Sequence, residues 1–360
     1  MRRVLQFVLV SSFVVLVSSC SNSKSDKPTV AFVTNGIASF WLVAEAGTQQ
    51  AAVDFDVNVE VRMPTDGVAD QKRMVQELLT LKVDGISISP IDPDNQADLL
   101  NEIADLTLFI TQDSDAPKSK RLCYVGVDNY AAGRMCGKLV MEAMPEGGSV
   151  MILVGRLEQA NAKLRRQGVI DELLGRDNDS TRYDKPGEEL KGEKYTILDT
   201  RTDQFDRVKA KSNAQDAIAK YPDLGCMVGL FAYNPPLILD AVKEAGKLEQ
   251  IKVIGFDEED GTLQGIVDGH IYGTIVQDPY NYGYHSIRIL AALYRGDKSV
   301  LPKNMILEFK PRRIVSDNVE EFWSELNDLV AKAKSGKKST DADSKSDESK
   351  DDGDKESDGG

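Results

Sequence analysis

The chain is poor in histidine and cysteine and has no excess of positive charge. Its 360 residues include two His and four Cys, too few for a disulfide scaffold and a poor basis for a histidine-rich metal site. Lys and Arg number 44 against 58 Asp and Glu, a formal charge of −14, which repels the phosphate backbone of nucleic acids. We therefore expect no metal, no cofactor and no nucleic-acid partner. At 41% hydrophobic and 28% charged residues, a chain of this length predicts two compact domains.

Enzyme signatures are also missing. The sequence has no GxGxxG dinucleotide motif, no GxxxxGK[ST] phosphate loop, no GxSxG nucleophile motif and no HExxH metal motif. His270 and His285 have no Cys or carboxylate at ligand spacing, which is typical of core or surface histidines. The sequence therefore favours a protein that is not an enzyme.

The first twenty residues have the pattern of a bacterial lipoprotein leader. Arg2 and Arg3 precede an apolar run over residues 4–17, which is too short to span a bilayer comfortably. The sequence VSSC that ends this run resembles a lipobox, in which the Cys becomes the first mature residue and carries the lipid. We interpret residues 1–19 as a signal peptide and Cys20 as the lipidation site. Ordinary secretion is the alternative.

Polar segments follow the leader and end the chain. Residues 20–27 read CSNSKSDK, which is typical of a flexible tether. Residues 335–360 contain five Lys and nine Asp or Glu and almost no apolar residues. Such a segment cannot bury enough apolar surface to offset the conformational entropy that is lost on ordering. We predict a lipid-anchored tether on the extracytoplasmic face of a membrane and a disordered acidic tail.

Between these ends, short apolar β-rich runs alternate with helical segments. Strands are predicted at residues 29–35, 57–63, 85–89, 107–111, 122–127, 149–154, 194–198, 225–230, 252–256 and 272–277. Helices are predicted at residues 70–81, 131–144, 206–220, 237–245 and 282–294. Near-continuous apolar strands are typical of parallel sheets covered on both faces. The alternation predicts an α/β fold with two doubly wound, Rossmann-like parallel sheets.

Two local features leave alternatives open. The polar segment 176–193 interrupts the alternation, and we interpret it as an inserted surface loop that is either mobile or a partner contact. Cys123, Cys136 and Cys226 are predicted to be buried thiols, with a Cys123–Cys136 disulfide as the alternative in an oxidising compartment.

Polar and aromatic residues follow several of the predicted strands. They are Asn35, Phe40 and Trp41 after the first strand, Asp113 after the fourth, and Asn234, Asp257 and Gln277 after later strands. In open α/β sheets, ligands bind beyond the carboxyl ends of the strands. Carboxylates and amides bind hydroxyl groups, and aromatic faces cover the apolar side of a ring. The pattern favours a site for a polyhydroxylated ring.

Seven segments, in order, resemble the type I periplasmic binding proteins of the ribose/galactose-binding family. They are VAFVTNGIASFW, KVDGISISPIDPD, YVGVDNYAAGRMCGK, NAKLRRQG, FDRVKA, VIGFDEEDG and GTIVQDPYNYGY. The resemblance covers residues 29–315 and implies two lobes joined by a three-segment hinge, with ligand held in the cleft and closure signalled to an ABC permease. It implies a first lobe of residues 28–127 plus 279–308, a second of 128–278 plus 309–333, and a monomer.

Matched to this family, individual residues take binding roles. Phe40 and Trp41 match an aromatic pair that sandwiches the sugar, and Asp113 matches an aspartate that binds hydroxyls. The other matched positions are Asn35 after the first strand, and Phe205, Asn234, Phe256, Asp257 and Gln277 in the second lobe and hinge. Lys163 and Ser114 stand where ribose-binding members have arginine. Because the planar guanidinium that can bind in a bidentate way is absent at both positions, the resemblance implies binding of a sugar in general more strongly than binding of ribose.

Structural roles are the alternatives for several of these residues. Asp257 could cap the next helix, and Asn234, which precedes two prolines, stands where an N-cap would. The tryptophan after the first strand could belong to the core. Lys163 shares a predicted helix with Arg165 and Arg166, which is typical of a solvated face.

The sequence thus predicts a lipid-anchored extracytoplasmic receptor that delivers a monosaccharide or related small polyol to an ABC permease. The first alternative is a sugar- or nucleoside-sensing receptor of the same fold, coupled to a signalling protein. A less favoured alternative is a glycoside hydrolase that uses Asp113 and Asp257 as paired carboxylates.

Overall fold

The computed structural model describes residues 27–332, where helices and strands alternate along the chain. The helices are α1 Ser39–Asp54, α2 Gly67–Thr80, α3 Ala97–Leu106, α4 Asn129–Ala143, α5 Ala160–Leu173, α6 Arg207–Lys220, α7 Asn234–Glu244, α8 Asp260–Val267 and α9 Pro279–Tyr294. The strands are β1 Thr29–Val33, β2 Asn58–Arg62, β3 Gly85–Ile88, β4 Leu108–Gln112, β5 Tyr124–Val127, β6 Gly148–Val154, β7 Leu190–Lys191, β8 Tyr195–Thr202, β9 Leu224–Gly229, β10 Lys252–Phe256, β11 Gly273–Val276, β12 Ile306–Phe309 and β13 Arg312–Val315.

These strands form two sheets. The first has the order β12-β5-β4-β3-β1-β2, and all its pairs are parallel. The second has the order β13-β11-β10-β9-β6-β8-β7, with only the end strands β13 and β7 antiparallel to their neighbours. Central strands such as β3 and β5 are buried at every residue, as continuous apolar runs require when helices cover both faces. The predicted fold class, two doubly wound parallel-sheet α/β domains, is confirmed.

The chain passes between the two sheets three times. It leaves the first sheet after β5, returns after β11, and crosses again between β12 and β13. Helix α4 packs on α5 and on β10 and β11 of the second sheet, whereas α9 packs on α1 and on strands of the first. Each lobe is therefore built from separate stretches of chain, and three connections join them.

The last two strands were missing from the sequence-based prediction. Both β12 and β13 lie at sheet edges and carry charged residues, Glu308 in one and Arg312 and Arg313 in the other. Such half-exposed strands lack the apolar run that identifies a central strand. The sequence also predicts that the second lobe resumes at residue 309, whereas Phe309 pairs with Val127 in the first sheet. The predicted boundary therefore falls one residue early.

The segment 176–193 is attached to the second lobe by buried charge. Asp171 on α5 is fully buried, and it pairs with Arg182 at 2.8 Å and with Arg176 at 3.4 Å. Arg176 also pairs with Asp184 at 2.6 Å. Near its end the segment forms β7, which pairs with β8. This network holds the segment against α5; a partner contact there stays a prediction.

Three cysteines in the described residues confirm the preferred prediction. Cys123, Cys136 and Cys226 are buried and free. The Cys123–Cys136 disulfide alternative is wrong, because Cys123 immediately precedes β5 of the first lobe whereas Cys136 lies on α4 of the second.

The predicted signal peptide 1–19, the lipidation site Cys20 and the acidic tail 335–360 lie outside the described residues. Among the helices of residues 27–332, none is long and apolar enough to cross a membrane. Over the same range, no group of three or more His, Cys, Asp or Glu is placed to hold a metal ion.

Candidate ligand-binding site

A cavity of about 340 Å³, including its open mouth, lies between the lobes where strands of both sheets end. We call it the inner cleft. Its walls are Asn35, Ala38, Phe40, Trp41 and Asp113 of the first lobe, and Asn161, Arg165, Phe205, Phe231, Ala232, Tyr233 and Asp257 of the second. Six residues singled out from the sequence lie here, namely Asn35, Phe40, Trp41, Asp113, Phe205 and Asp257.

The first-lobe wall is a pair of aromatic rings at the start of α1. Phe40 and Trp41 meet edge to face, with ring centroids 4.8 Å apart. The Trp41 indole Nε1 donates to Asn35 Oδ1 at 3.1 Å, and its ring also contacts Phe32 of the core at a centroid distance of 6.2 Å. Trp41 therefore serves the core and the cleft together, and its indole N–H is already satisfied.

Asp113 joins the two lobes. It follows β4 and is 3% exposed. Within its own lobe it accepts from Ser89 Oγ at 2.9 Å and from Asn35 Nδ2 at 3.2 Å. From the other lobe, Asn161 Nδ2 donates to the same carboxylate at 2.9 Å and Arg165 Nη2 donates at 3.4 Å. Burial raises the pKa of Asp113, while Arg165 and the hydrogen bonds oppose that rise.

Among residues 27–332, Arg165 supplies the only positive charge on the inner-cleft walls. It is 1% exposed, and it lies 3.4 Å from Asp113 and 3.8 Å from Asp257. Its Nε donates to Asn129 Oδ1 at 2.8 Å, and its guanidinium lies 4.3 Å from the centroid of the Phe256 ring. Arg165 is buried because α5 packs closely against α4. The solvated-face alternative concerns Lys163 on the same helix, whose side chain is 38% exposed.

Asp257 follows β10 and approaches Arg165 Nη1, whereas Asp113 approaches Nη2. It is 4% exposed, and it accepts from Gln277 Nε2 at 2.7 Å. Burial raises the pKa of Asp257 to about 6, against the opposing effects of Arg165 and Gln277. The helix-capping alternative is wrong, because α8 starts after Glu259 and has no side-chain cap.

The second-lobe wall is aromatic and rests on a buried carboxylate. Phe205 lies 5.3 Å from Phe231 and 5.7 Å from Tyr233, measured between ring centroids. Tyr233 Oη donates to Asp203 at 2.5 Å, and Asn234 Nδ2 donates to the other oxygen of Asp203 at 2.9 Å. Asn234 therefore supports the wall instead of lining it. Its side chain also accepts from the Phe231 backbone N–H at 3.1 Å.

Three further predicted residues do not line the inner cleft. Phe256 is fully buried beneath Arg165. Gln277 holds Asp257, and its Oε1 accepts from Tyr282 Oη at 3.1 Å. Lys163 lies outside the inner cleft, 3.9 Å from Asp94 of the other lobe.

Sequence-based reasoning missed four polar or aromatic side chains of the wall, namely Asn161, Arg165, Phe231 and Tyr233. Asn161 and Arg165 are four residues apart in NAKLRRQG, a spacing that places them on one face of a helix and turns Lys163 away. Phe231 and Tyr233 follow β9 directly, so inspection of every residue after that strand would have found them.

The arrangement suits reversible binding of a small polar molecule. Two carboxylates flank one guanidinium, amides stand nearby, and aromatic rings close the cleft from both lobes. Two parallel-sheet lobes joined by three connections, with such a cleft between them, define a bilobal ligand receptor of the type I periplasmic binding class.

The chain belongs to the family described as "periplasmic binding protein domain", whose model matches residues 30–298. This is an extracytoplasmic class of binding proteins, so the chain is a binding protein and not an enzyme. The hydrolase alternative for Asp113 and Asp257 is therefore wrong.

Among curated relatives, the chain is similar to the ribose import binding protein RbsB of Escherichia coli. The two are 24% identical over 294 residues, covering 80% of this chain and 92% of the relative. Among solved structures, GanP, a glucose-galactose binding protein from Geobacillus stearothermophilus, matches with a TM-score of 0.72 at 25% identity, over 82% of this chain and 99% of GanP. A chain of the XylFII-LytSN complex matches with a TM-score of 0.70 at 23% identity, over 81% of this chain and 98% of the other.

Proposed function

We propose that the protein is a monomeric, lipid-anchored extracytoplasmic receptor that binds a monosaccharide or related small polyol and delivers it to an ABC permease. The observation that carries the proposal is Asp113, a buried carboxylate bonded from both lobes within an aromatic-walled cleft. Carboxylates accept hydrogen bonds from sugar hydroxyls, and aromatic faces cover the C–H side of the ring.

The charges of the inner cleft favour a neutral ligand. Asp113 and Asp257 contribute two carboxylates, against the single guanidinium of Arg165. A carboxylate or phosphate ligand would bring a third negative charge into a buried space, which is strongly unfavourable without another cation. A neutral polyol instead offers hydroxyl donors to the two acids and acceptors to Arg165.

Contacts to both lobes give the proposed mechanism. Bonds already cross between the lobes, from Asn161 to Asp113 at 2.9 Å and from Arg165 to Asp113 at 3.4 Å. A ligand that adds hydrogen bonds to each lobe stabilises the closed arrangement relative to an open one, and the three connections allow hinge motion. Phe205 of the second lobe lies so close to Gly36 of the first that a Cβ there would be 3.2 Å from the ring.

The relatives support a sugar without fixing which one. RbsB is named for ribose import, and GanP for glucose and galactose, so similar chains take both pentoses and hexoses. Anchoring through Cys20 rests on the lipobox resemblance, and Cys20→Ala should release the chain from the membrane fraction.

The experiment is a thermal-shift screen of the purified full chain against pentoses, hexoses, sugar alcohols and nucleosides, followed by calorimetry of each hit. A ligand that binds only the folded state raises the melting temperature by mass action. We expect a monosaccharide hit that Asp113→Asn abolishes and the exposed-residue control Asp268→Asn keeps. A nucleoside hit without any sugar hit would contradict the proposed ligand class.

A signalling receptor is the second candidate, and the similarity to XylFII in complex with LytSN is the observation that favours it. In-cell crosslinking with and without the sugar separates the two roles. Recovery of permease subunits supports import, whereas recovery of a sensor protein alone supports signalling.

A further inference from the structure

A second and larger cavity, the outer cavity, lies between the same two lobes. It measures about 2400 Å³ including its open mouth. Asp94 and Lys118 face it from the first lobe, and Lys163, Arg182 and Tyr183 face it from the second.

The outer cavity adjoins the inner cleft along the chain. Three stretches of chain line both spaces. On the first, Asp113 lines the inner cleft and Asp115 the outer cavity. On the second, α5, Asn161 and Arg165 line the inner cleft, whereas Lys163 lines the outer cavity. The third is the 204–205 turn, which contributes one residue to each space. The two spaces are therefore neighbours between the same two lobes, and a ligand that extends beyond the inner cleft at these stretches would meet the outer cavity.

One wall of the outer cavity is the 176–193 segment, and it is held in place by buried bonds. Arg182 pairs with the fully buried Asp171 at 2.8 Å. Arg166, itself 1% exposed, donates to the Asp184 carbonyl at 2.6 Å. Burying an aspartate costs several kcal/mol unless it is paired, so these partners hold the segment firmly beside the cavity.

The chemistry of the outer cavity suits a second ring or an aglycone. The Arg166 guanidinium lies 5.8 Å from the centroid of the Tyr183 ring. Tyr183 still keeps 46% of its surface exposed, which leaves part of the ring available for stacking. Lys163 Nζ and Asp94 Oδ2 approach to only 3.9 Å across the lobes, too far for a hydrogen bond. Asp94 Oδ1 accepts from Lys118 Nζ at 3.0 Å, so the Lys163 ammonium and Asp94 Oδ2 are the groups that can bond to ligand hydroxyls. Cations and carboxylates face the space together, which again favours a neutral group.

We propose that the natural ligand is a glycoside or disaccharide, with one sugar ring in the inner cleft and the second unit in the outer cavity against Tyr183. This inference rests on the proposed function, because it adds a second unit to the sugar bound at the inner site. It also gives the 176–193 segment a role as the wall that recognises the second unit.

The test compares ligands of one and two units on the full chain by calorimetry. The probes are ribose, xylose, glucose and galactose, and for each a disaccharide and a p-nitrophenyl glycoside that contain it. We expect one extended compound to bind at least tenfold more tightly than its own monosaccharide. Tyr183→Ala should reduce that affinity to the level of the monosaccharide, and leave the affinity for the monosaccharide unchanged.

Two further variants complete the design. Tyr294→Ala removes a tyrosine of similar exposure, 44%, outside both cavities, and should change neither affinity. Lys163→Gln tests the outer cavity without altering the 176–193 segment, in case Tyr183→Ala fails to fold, and should weaken only the extended ligand.

The outcomes separate the two proposals. If a monosaccharide binds as tightly as every extended compound, or if Tyr183→Ala and Lys163→Gln weaken both ligand sizes equally, the two-compartment ligand is refuted and the sugar receptor stands. If no sugar of either size binds, the proposed function fails and the two-compartment ligand fails with it.

Discussion

Replacing Asp257 by asparagine should make the unliganded protein more stable while it weakens ligand binding. The carboxylate is buried between β10 and the cleft. Asn has the same shape, and it keeps the Oδ1 acceptor for Gln277 Nε2, which lies 2.7 Å away in the wild type. The substitution therefore removes a buried charge, together with the attraction of that charge to Arg165 at 3.8 Å and to the Ala232 backbone N–H.

The size of the effect follows from the pKa. Burial raises the pKa of Asp257 to about 6, from an ordinary value of 3.8, so the ionised carboxylate costs the fold about 3 kcal/mol. Because the folded-state pKa is the higher one, this cost is absent below pH 3.8 and reaches full size as the pH rises through 6. The pKa of the neighbouring Glu258 is raised mainly by burial and next by the charge of Asp257. Asp257→Asn therefore also removes the repulsion between these two carboxylates.

Thermal and urea unfolding at pH 8 and pH 4 give the assay. Asp257→Asn should exceed the wild type by about 3 kcal/mol at pH 8 and match it at pH 4. Sugar affinity at pH 8 should fall about tenfold to a hundredfold, since a hydrogen bond to a charged group contributes roughly 1.5–3 kcal/mol. The exposed control Asp268→Asn should change neither property. Lower stability of Asp257→Asn at pH 8, or a gain that persists at pH 4, would refute the reasoning.

Three other variants test the remaining parts of the site. Trp41→Ala should weaken sugar binding at least tenfold and remove the ligand-induced fluorescence change, whereas Trp323→Ala should keep the affinity; unaltered binding by Trp41→Ala would remove that residue from the site. Arg165→Met should destabilise the fold by about 3–5 kcal/mol at pH 8, because it leaves two buried carboxylates without their cation. That loss should shrink at pH 5 in urea unfolding, and a pH-independent loss would contradict the electrostatic explanation. Deleting residues 335–360 should alter neither melting temperature nor affinity, and a lost ligand response would show that the tail is required.

The central strands and five of the nine helices in residues 27–332 could be predicted, because they follow from local periodicity. Central strands such as β10, predicted and found at Lys252–Phe256, are apolar along their whole length, and the apolar residues of the helices recur every three or four positions. The edge strands β12 and β13 could not be found this way, although the edge strand β2 was predicted at residues 57–63. Their charged side chains reach solvent, and only pairing with β5 or β11 identifies β12 and β13 as strands.

The site could be predicted as a set of strand ends but not as a set of side-chain directions. Asn35, Asp113 and Asp257 all follow strands, so the topology of an open sheet places them in the cleft. Arg165 could not be assigned from composition, because two adjacent arginines on a helix usually face water. Both Arg165 and Arg166 are 1% exposed, since the packing of α4 on α5 decides which face of the helix is buried.

Backbone strain is the part of the site that no residue pattern reveals. Seven non-glycine residues in the described chain have positive φ, and four of them, Asp113, Gln204, Phe205 and Asp257, stand at the cleft. Such conformations cost of order 1–3 kcal/mol each and persist only where surrounding contacts fix them. The contacts are present. Asp113 is bonded from two lobes, and the Phe205 N–H donates to Asp203 Oδ1 at 2.9 Å. The folding free energy therefore covers the cost of the strain. Because the carboxylates and the Phe205 ring already face the cleft before a ligand arrives, less of the binding free energy is lost in ordering these side chains.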